Sequence, residues 1–129
     1  LPFENRTQLL DSFGKVLVFN VITQKLESYD QQVIDVNGKY IIPLHVENSG
    51  LAQIEIKKQN YLICMNDRRV TKLIKHDEAL SSDMNPLVIK KGADFYSLGY
   101  KNLYMHCDEL GNCIFESDTV GDAEKFTIS

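Results

Sequence analysis

Short apolar runs recur along the chain at near-equal spacing. Val16-Leu17-Val18-Phe19, Leu62-Ile63-Cys64-Met65 and Leu103-Tyr104-Met105-His106 begin 46 and 41 residues apart. Each run meets a polar turn, such as Asn66-Asp67-Arg68-Arg69 or Asp108-Glu109-Leu110-Gly111-Asn112, and then a second short apolar run. A period of about forty residues used three times points to one supersecondary unit repeated. Further short strands are predicted over residues 40–47, 51–57, 61–65, 70–74, 86–90, 95–98, 103–107, 113–116 and 125–128, which are rich in Val, Ile, Leu, Tyr and Phe. Gln53, Glu55 and Lys57 alternate with Ile54 and Ile56, the period-two signature of a half-buried strand. Asn37-Gly38 predicts a tight hairpin turn, and Asn48-Ser49-Gly50 another break. Residues 76–83 suit a helical turn or two, or equally a polar loop.

About twelve strands, four per repeat, in approximate threefold symmetry describe an all-β fold of the β-trefoil type. Six strands close a small barrel, which removes sheet edges, and three hairpins cap one end. The expected lobes are residues 8–48, 49–90 and 91–129 of a single domain spanning 1–129, with residues 1–7 as a flexible amino-terminal arm. At 129 residues, 43% hydrophobic and 25% charged, the chain suffices for one core and is short for two. An immunoglobulin-type sandwich fits less well, because there is no Trp and no cysteine pair at inter-sheet spacing. No apolar run approaches the roughly 18 residues of a membrane-spanning helix, so no membrane insertion is expected.

Cys107 and Cys113 flank a five-residue turn and are expected to face each other across two strands, as either a disulfide or two reduced thiols. Cys64, inside an apolar run, is expected to act as a small buried hydrophobe. Asn5-Arg6-Thr7 is an N-glycosylation acceptor pattern that suits a secreted protein. The net charge is -4, yet Lys57, Lys58, Arg68, Arg69 and Lys72 flank one hairpin in the middle of the chain. They are expected to share one basic patch, which is either a solvated face or a site for an anionic glycan or co-receptor.

Catalytic patterns are weak. His45, His76 and His106 are scattered, and His106 with Cys107 and Cys113 supplies only part of a zinc site, so neither a metal nor another cofactor is expected. Ser81, Ser82 and Asp83 near His76 lack the strand-turn-helix elbow that holds a nucleophilic serine. An acidic chain with no basic stripe between aromatics is not expected to bind nucleic acid.

The run Ser49-Gly50-Leu51-Ala52-Gln53-Ile54-Glu55-Ile56, followed by Leu62-Ile63-Cys64-Met65-Asn66 and a basic turn, resembles the fibroblast growth factor family. Its members carry a Gly-x-Val-x-Ile strand and then Tyr-[Leu/Ile]-Cys-Met-Asn. Tyr100 with Leu103-Tyr104-Met105 looks like a later strand of the family, and Phe126 like the Phe of its last strand. The form of the Ile63 to Asn66 segment is most similar to the branch of fibroblast growth factors eight, seventeen and eighteen.

The resemblance implies a secreted growth factor without catalytic residues. Such a ligand binds the immunoglobulin-like ectodomain of a receptor tyrosine kinase and activates it. Receptor contacts implied by the family pattern are Leu9 and Leu10 in the first strand, Phe126 and Ile128 in the last, and Phe3 in the amino-terminal arm, with further contacts from the segment before the third lobe. The polar contact usual in that segment is replaced here by Leu87-Val88-Ile89-Lys90-Lys91-Gly92-Ala93-Asp94. The family's basic heparan sulfate surface corresponds to a stretch carrying Asp108, Glu109, Glu116, Asp118, Asp122 and Glu124, with Lys125 the only base. Clustered carboxylates repel a sulfated polysaccharide, so heparan sulfate binding is expected to be weak or absent, and a Klotho-type co-receptor is a candidate substitute. The alternatives are a trefoil cytokine of the interleukin-1 type and a non-signalling lectin-like or inhibitory trefoil. The lectin type is disfavoured by the absence of Trp, which Gln-x-Trp repeats require.

Overall fold

The computed structural model describes residues 7–128. Within them the chain is mostly short antiparallel strands, and the first lobe carries β1 (Leu9–Leu10), β2 (Val16–Asn20), β3 (Lys25–Tyr29) and β4 (Ile41–Pro43). The second carries β5 (Gln53–Ile56), β6 (Gln59–Met65), β7 (Thr71–Lys75), β8 (Asn85–Pro86) and the start of β9 (Val88–Lys91). In the third are β10 (Tyr96–Tyr100), β11 (Leu103–Cys107), β12 (Cys113–Ser117) and β13 (Thr127–Ile128). Three sheets result, each built on a hairpin: β2–β3 with β1, β4 and β13; β6–β7 with β5 and β8; and β11–β12 with β10 and β9.

The hairpins turn by a shared device. Oδ1 of Asn20 accepts the backbone N–H of Ile22 and Thr23, Oδ1 of Asn66 those of Arg68 and Val70, and Oδ1 of Asp108 those of Leu110 and Asn112. Asp11 does the same for Phe13 and Lys15 in the β1–β2 turn. A short side-chain oxygen thus stands in for a backbone acceptor and reverses the chain. Each turn also holds one residue in the left-handed region: Gly14 (φ 79°), Gln24 (φ 59°), Arg69 (φ 66°) and Gly111 (φ 89°).

Strand alternation then delivers one side chain per hairpin to a common core. Leu17, Ile63 and Met105 occupy the same place in β2, β6 and β11 and are fully buried, joined two residues on by Phe19, Met65 and Cys107. Leu44 N–H donates to Leu17 O, and Leu87 N–H to Ile63 O, which ties the last strand of a lobe to its central strand. Cys64 points into a separate small cluster with Leu62, Ile74 and Met84, where burial pushes its thiol up to about 11.

Six backbone pairings form a closed circuit. Gln8 pairs with His45, Leu51 with Val88 and Tyr96 with Phe126, joining the start and end of each lobe. His45 pairs with Gln53, β9 with β10 and β13 with β1, joining the end of one lobe to the start of the next. The turns repeat the cycle. Thr71 Oγ1 of the second lobe donates to Gln24 O of the first turn. Tyr100 Oη and Lys101 Nζ of the third lobe reach Asp67 Oδ1 of the second turn at 2.6 and 2.8 Å. Ser28 N–H of the first lobe donates to Gly111 O of the third turn at 3.0 Å.

One local expectation is corrected, and of the two alternatives for residues 76–83 the polar loop is the one found. Asn37 and Gly38 do not form a hairpin turn; they end helix α1 (Gln31–Asn37), with Gly38 in the right-handed region at φ -60°. The helix forms because Ile34 buries itself against Val16, Val18 and Ile41, and tertiary burial outweighs a local turn signal. Residues 76–83 contain no helix and are all exposed, so no apolar face is available to stabilise one. The loop is instead tied back by Lys75 N–H to Glu78 Oε1 at 2.9 Å and by His76 Nε2 against the buried Gln53 amide at 2.7 Å.

Gly111 carries two demands at once, a left-handed φ and a backbone approach that would leave a Cβ only 2.3 Å from Ser28 O. Gly14 has a similar φ but open space around it. Gly14→Ala is therefore expected to cost about 1 kcal/mol for the backbone conformation alone. Gly111→Ala should cost about 2 kcal/mol more, because the third turn must move off the first lobe. Urea unfolding of the two variants checks this, and equal losses would contradict it.

Candidate functional site

The last strand is fixed by its neighbours on both sides. Phe126 and Tyr96 exchange two backbone hydrogen bonds, both 2.7 Å, and β13 pairs with β1 in the register Leu9 to Ile128 and Leu10 to Thr127. Beside this seam the β9–β10 connection doubles back, with Gly92 N–H donating to Phe95 O at 2.8 Å. The Phe95 ring lies over Gly92 so closely that a Cβ there would sit 2.4 Å from it, and Lys125 Nζ stands 5.0 Å from the ring centroid. Between these parts is a shallow groove of about 360 Å³, lined by Lys91, Gly92, Phe95, Tyr96, Thr127 and Ile128.

Of Leu9, Leu10, Phe126 and Ile128, the described strand residues expected to contact a receptor, only Ile128 presents an exposed side chain, at 42%. Leu9 and Phe126 are core residues at 1% and 0%, so their side chains are closed to a partner; they hold the strand ends from beneath. Leu10 is half-buried against the cluster of Val16, Val18, Ile34 and Ile41. Phe3 and the acceptor Asn5 lie outside the described residues. Lys91 and Gly92 fall in the expected segment 87–94, whereas Phe95 and Tyr96 are not among the expected contacts. Their signal in the sequence is the Gly-Ala-Asp turn closed by two aromatics at residues 92–96.

The single basic patch expected in the middle of the chain is corrected to two separate groups. Lys57 and Lys58 form the tip of the β5–β6 hairpin, whereas Arg68 and Arg69 lie in the turn beyond the other end of β6. The seven residues of β6 hold the two groups apart, by roughly 20 Å at about 3.3 Å per residue. Lys72, at the start of β7, belongs with the arginines. Arg69 is further committed, its guanidinium 5.3 Å from the Tyr100 ring centroid and Nη1 donating to Asp67 O.

The carboxylates of the third hairpin are partly structural. Asp108 accepts from Leu110 and Asn112, and the Asn112 backbone N–H is the main cause holding its carboxyl below the usual range. Glu124 is buried and accepts the Gly121 N–H at 2.8 Å. His106 stands between Glu116 and Glu124, its Nε2 3.4 Å from one carboxylate and its Nδ1 3.7 Å from the other. Asp67 is likewise held low, first by the Lys101 ammonium and then by the Tyr100 hydroxyl.

Cys107 and Cys113 are joined in a disulfide with Cα atoms 4.1 Å apart, directly opposite each other in the β11–β12 register. Among the described residues no group of three or more His, Cys, Asp or Glu side chains is placed to hold a metal ion. No helix among them is long and apolar enough to cross a membrane. No protein-family model, curated protein or solved structure matches the chain.

The lowered carboxyls of Asp67 and Asp108 set a pH dependence. A carboxyl that titrates lower in the folded chain contributes stability above its unfolded value of about 3.9, and this is lost as pH falls through the folded value. Replacing both by Asn should therefore lower stability at pH 6 but flatten its decline toward pH 3. Urea midpoints at the two pH values check this; a decline as steep as that of the unaltered chain would contradict it.

Proposed function

We propose that the chain is a β-trefoil and acts as a secreted ligand of a receptor tyrosine kinase of the fibroblast growth factor receptor type. The closed circuit of six pairings, the three like hairpins and the three-way core support the trefoil. Secretion is supported by the Cys107–Cys113 bridge, since such bonds persist in oxidising compartments.

The observation that carries the receptor reading is the groove at the end of the chain. It joins the last strand, through Thr127 and Ile128, to the segment 87–94, through Lys91 to Asp94, with Phe95 and Tyr96 following directly after it. These are two of the parts that the resemblance to the fibroblast growth factors assigns to receptor contact. Ile128, Phe95 and Tyr96 supply the apolar and aromatic side chains that anchor protein interfaces. The split basic patch and the acidic third hairpin favour weak heparan sulfate binding, which leaves room for a Klotho-type protein co-receptor.

Binding to an immobilised fibroblast growth factor receptor ectodomain, with and without heparin, tests the proposal. Ile128→Asp should weaken binding at least tenfold, about 1.4 kcal/mol, while leaving the melting temperature unchanged. No binding under either condition, even with a Klotho-type co-receptor present, would remove this function and leave the fold. Capture by an interleukin-1-type receptor ectodomain instead would assign the chain to the other class of trefoil ligand.

A further inference from the structure

Where the three hairpins converge there is a second cavity, of about 670 Å³, unconnected with the receptor reading. Each lobe contributes one buried apolar side chain to its floor: Leu26 from β3, Met65 from β6 and Phe115 from β12. Ile114, 44% exposed, adds an apolar wall. Cations stand around this floor. Lys25, Arg68 and Arg69 line the cavity against one carboxylate, Glu27. Glu27 is already engaged by the Asn20 amide at 3.0 Å and the Tyr29 hydroxyl at 2.6 Å, and Arg69 by the Tyr100 ring. Lys25 and Arg68 have no side-chain hydrogen bond or ion pair among the described residues.

An apolar floor under an excess of cations, three against one carboxylate, selects a particular chemistry. A sulfated sugar would satisfy the cations but leave its hydroxyls against Leu26, Met65 and Phe115 without hydrogen-bond partners, a desolvation cost with no return. A neutral lipid would fill the floor and leave the cations unused. The volume lies in the range of small-molecule sites, which are mostly apolar with a few placed polar groups. We propose that this cavity binds a fatty acid, its carboxylate between Lys25 and Arg68 and its alkyl chain over Leu26, Met65 and Phe115. Because the floor takes one side chain from each lobe, the ligand also bridges the three lobes and stabilises the folded chain on binding.

Isothermal titration with octanoate, decanoate, laurate and dodecanol, all below their micellar concentrations, tests the assignment. Affinity should rise roughly two- to fourfold per added methylene, the signature of alkyl burial. The double variant Lys25→Ala, Arg68→Ala alters two exposed side chains and should keep the fold. It should weaken laurate at least tenfold and leave dodecanol unchanged, whereas Lys57→Ala, Lys58→Ala should leave both unchanged. Laurate should raise the melting temperature. The proposal is overturned if laurate gives no saturable binding, if affinity is independent of chain length, or if the cavity variant binds laurate as tightly as the unaltered chain. It also fails if laurate lowers the melting temperature, or if a heparin-derived disaccharide binds through Lys25 and Arg68 more tightly than laurate does.

Discussion

No lobe of this chain buries by itself the side chains that its hairpin turns toward the common core. Leu17, Ile63 and Met105 project from three separate hairpins into one shared cluster, and each needs the other two to leave water. That mutual burial is the constraint on which the remaining features rest, because hydrophobic burial is the dominant favourable term in folding. The backbone follows it: strand pairings alternate within and between lobes until β13 meets β1. The turns repeat the same logic in polar groups, as Gln24, Asp67 and Gly111 are each bonded by the next lobe in the cycle.

The two cavities follow from this geometry. Three hairpins meeting around a common line leave a hollow between their ends, and Leu26, Met65 and Phe115 floor it because strand alternation turns them inward. The pairing of Phe126 with Tyr96 brings the last strand against the β9–β10 connection, and the side chain of Phe95 over Gly92 shapes the groove there. Neither feature needs a dedicated domain. Each is a place where the packed sheets expose a little of what they otherwise bury.

Much of the fold was legible because its signals are local. Asn20, Asn66 and Asp108 stand directly after apolar runs, and a short polar side chain there marks a reversal in any context. The opposed pair Cys107 and Cys113 follows from turn length, which sets register across a hairpin. What was not legible depends on distant contacts. Helix α1 forms because Ile34 finds Val16, Val18 and Ile41, none of which its own segment foretells except Ile41. Leu9 and Phe126 belong to strand ends too short for periodicity to say which face is inward, and the register of the whole circuit placed them in the core. The two basic groups were adjacent as letters around one hairpin, but the length of β6 separates them in space.

Interdependence of the lobes is the central claim, and residue-by-residue native-state hydrogen exchange tests it most directly. Amides that cross between lobes, such as Ser28 to Gly111 O and His45 to Gln53 O, are measured beside Ile63, bonded to Ala52 O, and Phe126, bonded to Tyr96 O. If each lobe is folded only by the other two, all four should exchange with one common free energy, that of global unfolding. A lobe whose amides open at distinctly lower free energy while the other two stay protected would contradict the account.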